Sequence, residues 1–160
     1  MVTFEHEARK LIDYLPGCRL FKQVVKPVNH LIMKTFKKTF IINAEAEDVY
    51  SALTNPVTIE LWSGYPAIME MKAGSEFSMW DGDISGRILE FIENKKILQE
   101  WYFGEQEEKS LVSIYLLRDF GSTQVTVEHT SIPDDDFDNI AEGWREYIMG
   151  AIQRFFNPNF

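Results

Sequence analysis

The sequence predicts an α+β domain in which one antiparallel sheet carries a long C-terminal helix, with two short helices placed after the first strand. Three observations carry this. An apolar stripe of Phe137, Ile140, Ala141, Trp144, Ile148, Ala151, Ile152 and Phe155 recurs in three- and four-residue steps at the end of the chain. Residues 65–131 alternate short strand-forming runs with turn signals. Between Ile42 and Tyr65 the period changes from strand to helix and back.

The elements follow in order. From Phe4 to Leu15 the residues Phe4, Ala8, Leu11, Ile12 and Leu15 keep helical spacing until Pro16-Gly17 stops them. An irregular stretch through Pro27 and Asn29 follows, and a new pattern opens at Met33. The expected organisation is therefore an N-terminal extension, 1–32, and a domain, 33–160. Phe36, Thr39, Phe40, Ile41 and Ile42 are branched or aromatic and mark a first strand over 34–42. Asn43 precedes a helical run with Val49, Ala52 and Leu53 on one face, and Glu45, Glu47 and Asp48 in its first turns complement the helix dipole. Asn55-Pro56 ends that helix and starts a second, over 56–61, with proline in its first turn.

The meander from Tyr65 to Ser131 is punctuated at Lys72-Ala73-Gly74, Asp81-Gly82-Asp83, Glu93-Asn94-Lys95, Gly104 and Gly121-Ser122. In its last strand Val125, Val127 and His129 alternate with Thr126, Glu128 and Thr130, which separates an inner face from an outer one. Val112, Ile114 and Leu116 do the same in the strand before it. After Pro133, the run Asp134-Asp135-Asp136 leads into the long helix.

Composition narrows the function. In 160 residues, 45% hydrophobic and 14% aromatic content suffices for a packed core and excludes a disordered chain. One cysteine, Cys18, allows no intramolecular disulfide, so a reducing cytoplasm is the expected setting. No apolar run approaches the ~18 residues of a membrane span, and Glu5 and Glu7 stand where an export signal places positive charge. Residues 1–42 carry eight Lys and Arg against three acids, whereas residues 43–160 carry eight against twenty-two. So acidic a body repels phosphate backbones, and neither nucleic acid nor membrane insertion is expected. Lys34, Lys37 and Lys38 read as protective charges on a strand face.

The chemistry-bearing residues are sparse. His6, His30 and His129 are scattered and no cysteine joins them at ligand spacing, so no metal and no cofactor is expected. His129 shares the inner parity of Val125 and Val127, where it serves either as a hydrogen-bonded core residue or as an acid or base. No nucleophile-elbow or phosphate-cradling glycine pattern occurs, and Ser113 points outward if Val112 and Ile114 point in. Glu100 and Glu128 face solvent by the same alternation, and Glu90 is left open because its neighbours on both parities are apolar. The acids from Asp134 to Asp138 lack the spacing of a calcium loop.

Particular residues carry a resemblance. Ala44 to Thr54 with Val49 and Ala52-Leu53-Thr54, then Trp62, Gly74, Phe77, Gly86-Arg87-Ile88-Leu89-Glu90, Trp101, Gly121-Ser122-Thr123 before Val125, Val127 and His129, and finally Gly143-Trp144 are similar to one family. It is the family of homologues of the activator of the heat-shock chaperone ATPase, within the START-like SRPBCC superfamily. The likeness covers roughly 34–156, with Glu45 where Ser or Thr is common in the family and with no counterpart for residues 1–32. It implies the helix-grip fold, a curved antiparallel sheet wrapped around the C-terminal helix, with a cleft between the two.

That fold would bring Trp62, Trp101 and Trp144 around one space together with Ile114, His129 and Ile148, and these six are the expected ligand-binding residues. The leading expectation is a module that binds an apolar or amphipathic small molecule. The resemblance also implies a chaperone or other protein as partner, and the superfamily adds a cyclase- or dehydratase-like enzyme using His129.

Overall fold

The computed structural model describes residues 32–159. The expected helix over 4–15, the boundary near Met33 seen from its N-terminal side, and the positions of His6, Cys18 and His30 lie outside or at the limit of those residues.

Strand β1 (Met33–Ile42) lies at one edge of a six-stranded antiparallel sheet, and β2 (Glu76–Met79) lies at the other. Between them in space run β6 (Ser122–Pro133), β5 (Ser110–Asp119), β4 (Lys96–Trp101) and β3 (Ile84–Ile92), so the order across the sheet is β1-β6-β5-β4-β3-β2. Because β1 and β2 are consecutive in the chain but at opposite edges, the connection between them must cross the sheet. Helices α1 (Ala46–Thr54) and α2 (Pro56–Ser63) make that crossing.

The first short helix starts differently from the sequence reading, whereas the second starts at Pro56 as expected. Glu45, not Asn43, occupies the cap position of α1 and makes no side-chain capping bond; Asn55 caps α2, its side chain accepting the Val57 and Thr58 amides at 2.9 and 3.4 Å. Between α2 and β2 the expected first run of the meander forms only an Ile68–Ser78 bridge.

Alternation holds along β5 and β6. Val112, Ile114, Leu116, Val125, Val127 and His129 are buried on the inner face, while Ser113, Thr126 and Glu128 take the outer one. Two bulges correct it locally. In β3 the pairing steps from Ile88↔Gln99 to Glu90↔Leu98, which inserts Leu89 and turns Glu90 outward to bond Lys96 at 3.0 Å. In β6 an extra residue opposite Lys34–Phe36 coincides with Ser131 at φ 53°.

The terminal helix begins at Asp134, with Asp134, Asp135 and Asp136 in its first turn. It runs as α3 (Asp134–Glu142), a π-helical turn (Gly143–Ile148) and α4 (Met149–Phe156). The π turn shifts the buried face, because its hydrogen bonds span five residues instead of four and so insert one extra residue into the helix. Ala141, Trp144 and Ile148 are buried before the shift, and Met149 and Ile152 after it, with Phe156 packed against the core. Phe155, placed on the stripe by α-helical counting, is instead 39% exposed, and Met149, absent from that stripe, is fully buried. Gly150 permits the turn: a β-carbon there would collide with the Arg145 carbonyl oxygen five residues earlier.

No helix among the described residues is long and apolar enough to cross a membrane.

Candidate functional site: an aromatic cleft beside the terminal helix

A cleft of about 810 Å³ opens between the terminal helix, α2 and the segment joining β2 to β3. Each wall follows from a local feature of the chain. Trp62 is held in the last turn of α2 by its indole N–H, which donates to the Ala52 carbonyl of α1 at 2.8 Å. Trp101 ends β4 on the inward parity, and Trp144 is the second residue of the π turn. Trp80 sits at φ 49° in a tight turn with Asp81 and Gly82, a left-handed conformation unusual for a bulky residue. Its ring meets Trp62 edge-on at 5.6 Å. Opposite, Trp101 and Trp144 stack at 5.1 Å with an interplanar angle of 29°.

All four tryptophans of the chain therefore line one space, joined by Tyr65, Ile84, Tyr147 and Ile148. Three of the indole N–H groups are turned away from it. Trp62 donates to Ala52, Trp101 to the Gln99 side-chain oxygen at 3.0 Å, and Trp144 to His129 Nδ1 at 3.0 Å. What these three offer a guest is aromatic surface without donors. Among the described residues the charged groups on the lining are Asp83 and Arg154.

Of the six residues expected from sequence, Trp62, Trp101, Trp144 and Ile148 line the cleft. Ile114 does not; it lies deeper, on a void of about 10 Å³ shared with those four, Leu53, Met79 and Gln99. His129 is fully buried and lines neither space. Its ring lies 5.0 Å from that of Trp101 and accepts the Trp144 N–H at Nδ1. The ring proton is then on Nε2, which donates to Ser110 Oγ at 2.8 Å, and that hydroxyl donates on to the Thr130 carbonyl at 3.0 Å. Both imidazole nitrogens and the Ser110 hydroxyl proton therefore have partners. Burial pushes the His129 pKa down to about 3, so the imidazole is neutral at physiological pH.

Sequence reasoning missed Trp80, Tyr65 and Tyr147 on the lining and Gln99 behind it. Gln99 was legible, since it shares the parity of Ile97 and Trp101, and it is 3% exposed. Trp80 stood beside a recognised turn, yet nothing local shows that the turn folds back on Trp62. No group of three metal-ligating side chains converges among the described residues.

Comparison with known proteins agrees with this architecture. The human protein named "Activator of 90 kDa heat shock protein ATPase homolog 1" is 27% identical over 124 residues, which cover 76% of this chain and 36% of that protein. A Dictyostelium discoideum homologue of the same activator is 24% identical over 134 residues, 82% of this chain and 35% of its own length. The chain thus spans about a third of the length of these curated relatives. Among solved structures, an HSP90 activator from Plasmodium falciparum superposes with a TM-score of 0.71 at 23% identity, covering 76% of this chain and 94% of the other. CalU16 from Micromonospora echinospora follows the same fold with a TM-score of 0.66 at 22% identity, covering 79% and 78%. These two solved structures share the architecture described above. The family model described as "Activator of Hsp90 ATPase homolog 1-like protein" matches residues 43–157, more than half of the chain, and the protein belongs to that family.

Proposed function

We propose that the domain binds an apolar or amphipathic small molecule in the aromatic cleft. The observation that carries this reading is the gathering of all four tryptophans around one open space of about 810 Å³. Core packing alone does not call for such a space, nor for holding Trp80 at φ 49° to wall it. Trp62, Trp101, Trp144 and Ile148 contact the guest in this reading, whereas Ile114 and His129 support the wall behind them. Binding is the activity supported. His129 gives no support to acid–base catalysis, since both ring nitrogens are engaged and neither faces the cleft.

Because every tryptophan lines the site, intrinsic fluorescence reports on it directly. Fatty acids, sterols and polycyclic aromatic compounds are titrated against the full chain and against Ala151→Trp, which fills the cleft from the terminal helix. Saturable quenching by one class, lost in the filled variant while the melting temperature is kept, is the expected result. Silence across the panel, or quenching that the filled variant leaves intact, rejects the cleft as a binding site.

A second reading is a protein-interaction role, motivated by the names of the relatives and by an exposed apolar pair. Val57 and Leu61, one turn apart on α2, are 68% and 67% exposed. In this reading the pair docks on a chaperone. Val57→Asp/Leu61→Asp then abolishes co-sedimentation with a purified ninety-kilodalton heat-shock protein and leaves fluorescence quenching by small molecules unchanged; undiminished co-sedimentation rejects the surface.

A further inference from the structure

A second groove, of about 660 Å³, runs between the outer edge of β1 and the terminal helix, past Lys38, Ile41, Arg145, Gln153 and Arg154. Its charge is opposite to that of the body around it. Among the described residues Lys38, Lys72, Lys95, Arg145 and Arg154 are the cations with no carboxylate at ion-pair distance, and three of these five line this groove. Among the described residues Glu146 is the one acid on its wall. Two of the cations are held in place by aromatic rings: Lys38 Nζ lies 5.2 Å from the Phe40 centroid, and the Arg145 guanidinium carbon lies 5.5 Å from that of Phe36.

The groove also exposes a strand edge. Among the described residues β1 pairs with β6 on one side only. The Ile41 carbonyl faces away from β6, where it accepts the Gln153 amide at 2.9 Å. Alternation along an antiparallel strand turns the N–H and C=O groups of Lys37 and Thr39 the same way. A groove with an open ladder on one wall and unpaired cations along it has the two features that recognise an extended acidic chain.

We propose that this groove binds an extended acidic peptide segment of a partner protein, which adds as a strand to β1 while its carboxylates meet Lys38, Arg145 and Arg154. Backbone bonding supplies affinity, and the cations select sign and register. A nucleic acid fits less well, because its continuous phosphate charge would have to lie along a body with twenty-two acids and eight bases beyond residue 42.

The test uses the full chain and a fluorescein-labelled alternating Glu-Val octapeptide, with the Lys-Val octapeptide, oligo-dT and phosphatidylserine vesicles as comparators. Arg154 also lines the aromatic cleft, so the variant is Lys38→Glu/Arg145→Glu, two exposed positions outside it. The expected results are saturable anisotropy with the Glu-Val probe, weakening several-fold from about 50 to about 200 mM salt, and a loss of about tenfold or more in the double variant at unchanged melting temperature. The Lys-Val probe should prefer that variant. Amide exchange at Lys37 and Thr39 should slow when the Glu-Val probe is bound. Equal affinity in wild type and variant, or binding without slowed exchange at these two amides, overturns the proposal. So does oligo-dT or vesicle binding that is tighter than the peptide's and depends on the same two cations.

Discussion

The indole N–H of Trp144 ends on Nδ1 of His129, 3.0 Å away, and joins the terminal helix to the inner face of β6 by a polar bond inside an apolar core. The same bond dictates the tautomer. A nitrogen that accepts carries no proton, so the imidazole proton stays on Nε2 toward Ser110, and a second proton would have to displace the Trp144 donor. This arrangement gives His129 a role in stability.

That role has a pH signature. His129 is held at about 3 in the fold, against 6.5 for a free imidazole. Above the unfolded value both states are neutral and stability is full. As pH falls below 6.5 the unfolded chain gains a proton that the folded one refuses, and stability is lost progressively down to about 3. Between about pH 7.5 and pH 5 the loss is about 2 kcal/mol. Urea unfolding of wild type and His129→Gln at a series of pH values checks this; the difference between the two should carry the slope. Parallel curves would show that His129 does not titrate this way.

Trp144 is 2% exposed and should be costly to remove. Trp144→Ala is expected to destabilise by about 3–5 kcal/mol. Trp144→Phe keeps most of the packing but leaves His129 Nδ1 without its donor, at a cost of about 1–3 kcal/mol. Denaturant unfolding measures both, and a loss below about 1 kcal/mol for the alanine variant would remove this helix from the core.

Two glycines of the terminal helix should respond to alanine with opposite signs. Gly143 has helical dihedrals and open space where a β-carbon would stand, so Gly143→Ala is expected to stabilise by about 0.5–1 kcal/mol. At Gly150 the β-carbon meets the Arg145 carbonyl, and Gly150→Ala should destabilise by about 1–3 kcal/mol or unwind the π turn. Thermal melts of the pair distinguish them, and stabilisation at both sites would mean that the π turn is not enforced by close approach.

We propose that residues 1–31 are dispensable for folding. The described residues pair β1 with β6 from Met33↔Pro133 to Ile42↔Thr123, and the Ile32 carbonyl accepts the Asp134 amide at 2.9 Å. A chain beginning at Ile32 should therefore melt within a few degrees of the full chain. A much lower melting temperature, or insolubility, would make the N-terminal segment part of the fold.

The element order, the inner and outer faces of β5 and β6, and the burial of Trp144 and Ile148 were all legible along the chain, because each is written in a local period of two or of three and four residues. The sequence also pointed to Trp62, Trp101 and Trp144 once the fold was named by resemblance. The remaining features depend on contacts between distant parts of the chain. A π turn cannot be read from an apolar stripe, since it arises where the helix must keep Trp144 and Met149 both against the sheet, and it sends Phe155 outward. Bulges at Leu89 and near Ser131 reset parity by pairing with strands elsewhere in the chain. Trp80 reaches Trp62 across seventeen intervening residues, and His129 turns into a spent donor and acceptor only because Trp144 and Ser110 arrive from other elements. Local periodicity encodes which face of an element is buried; what that face meets is set by packing between elements distant in sequence.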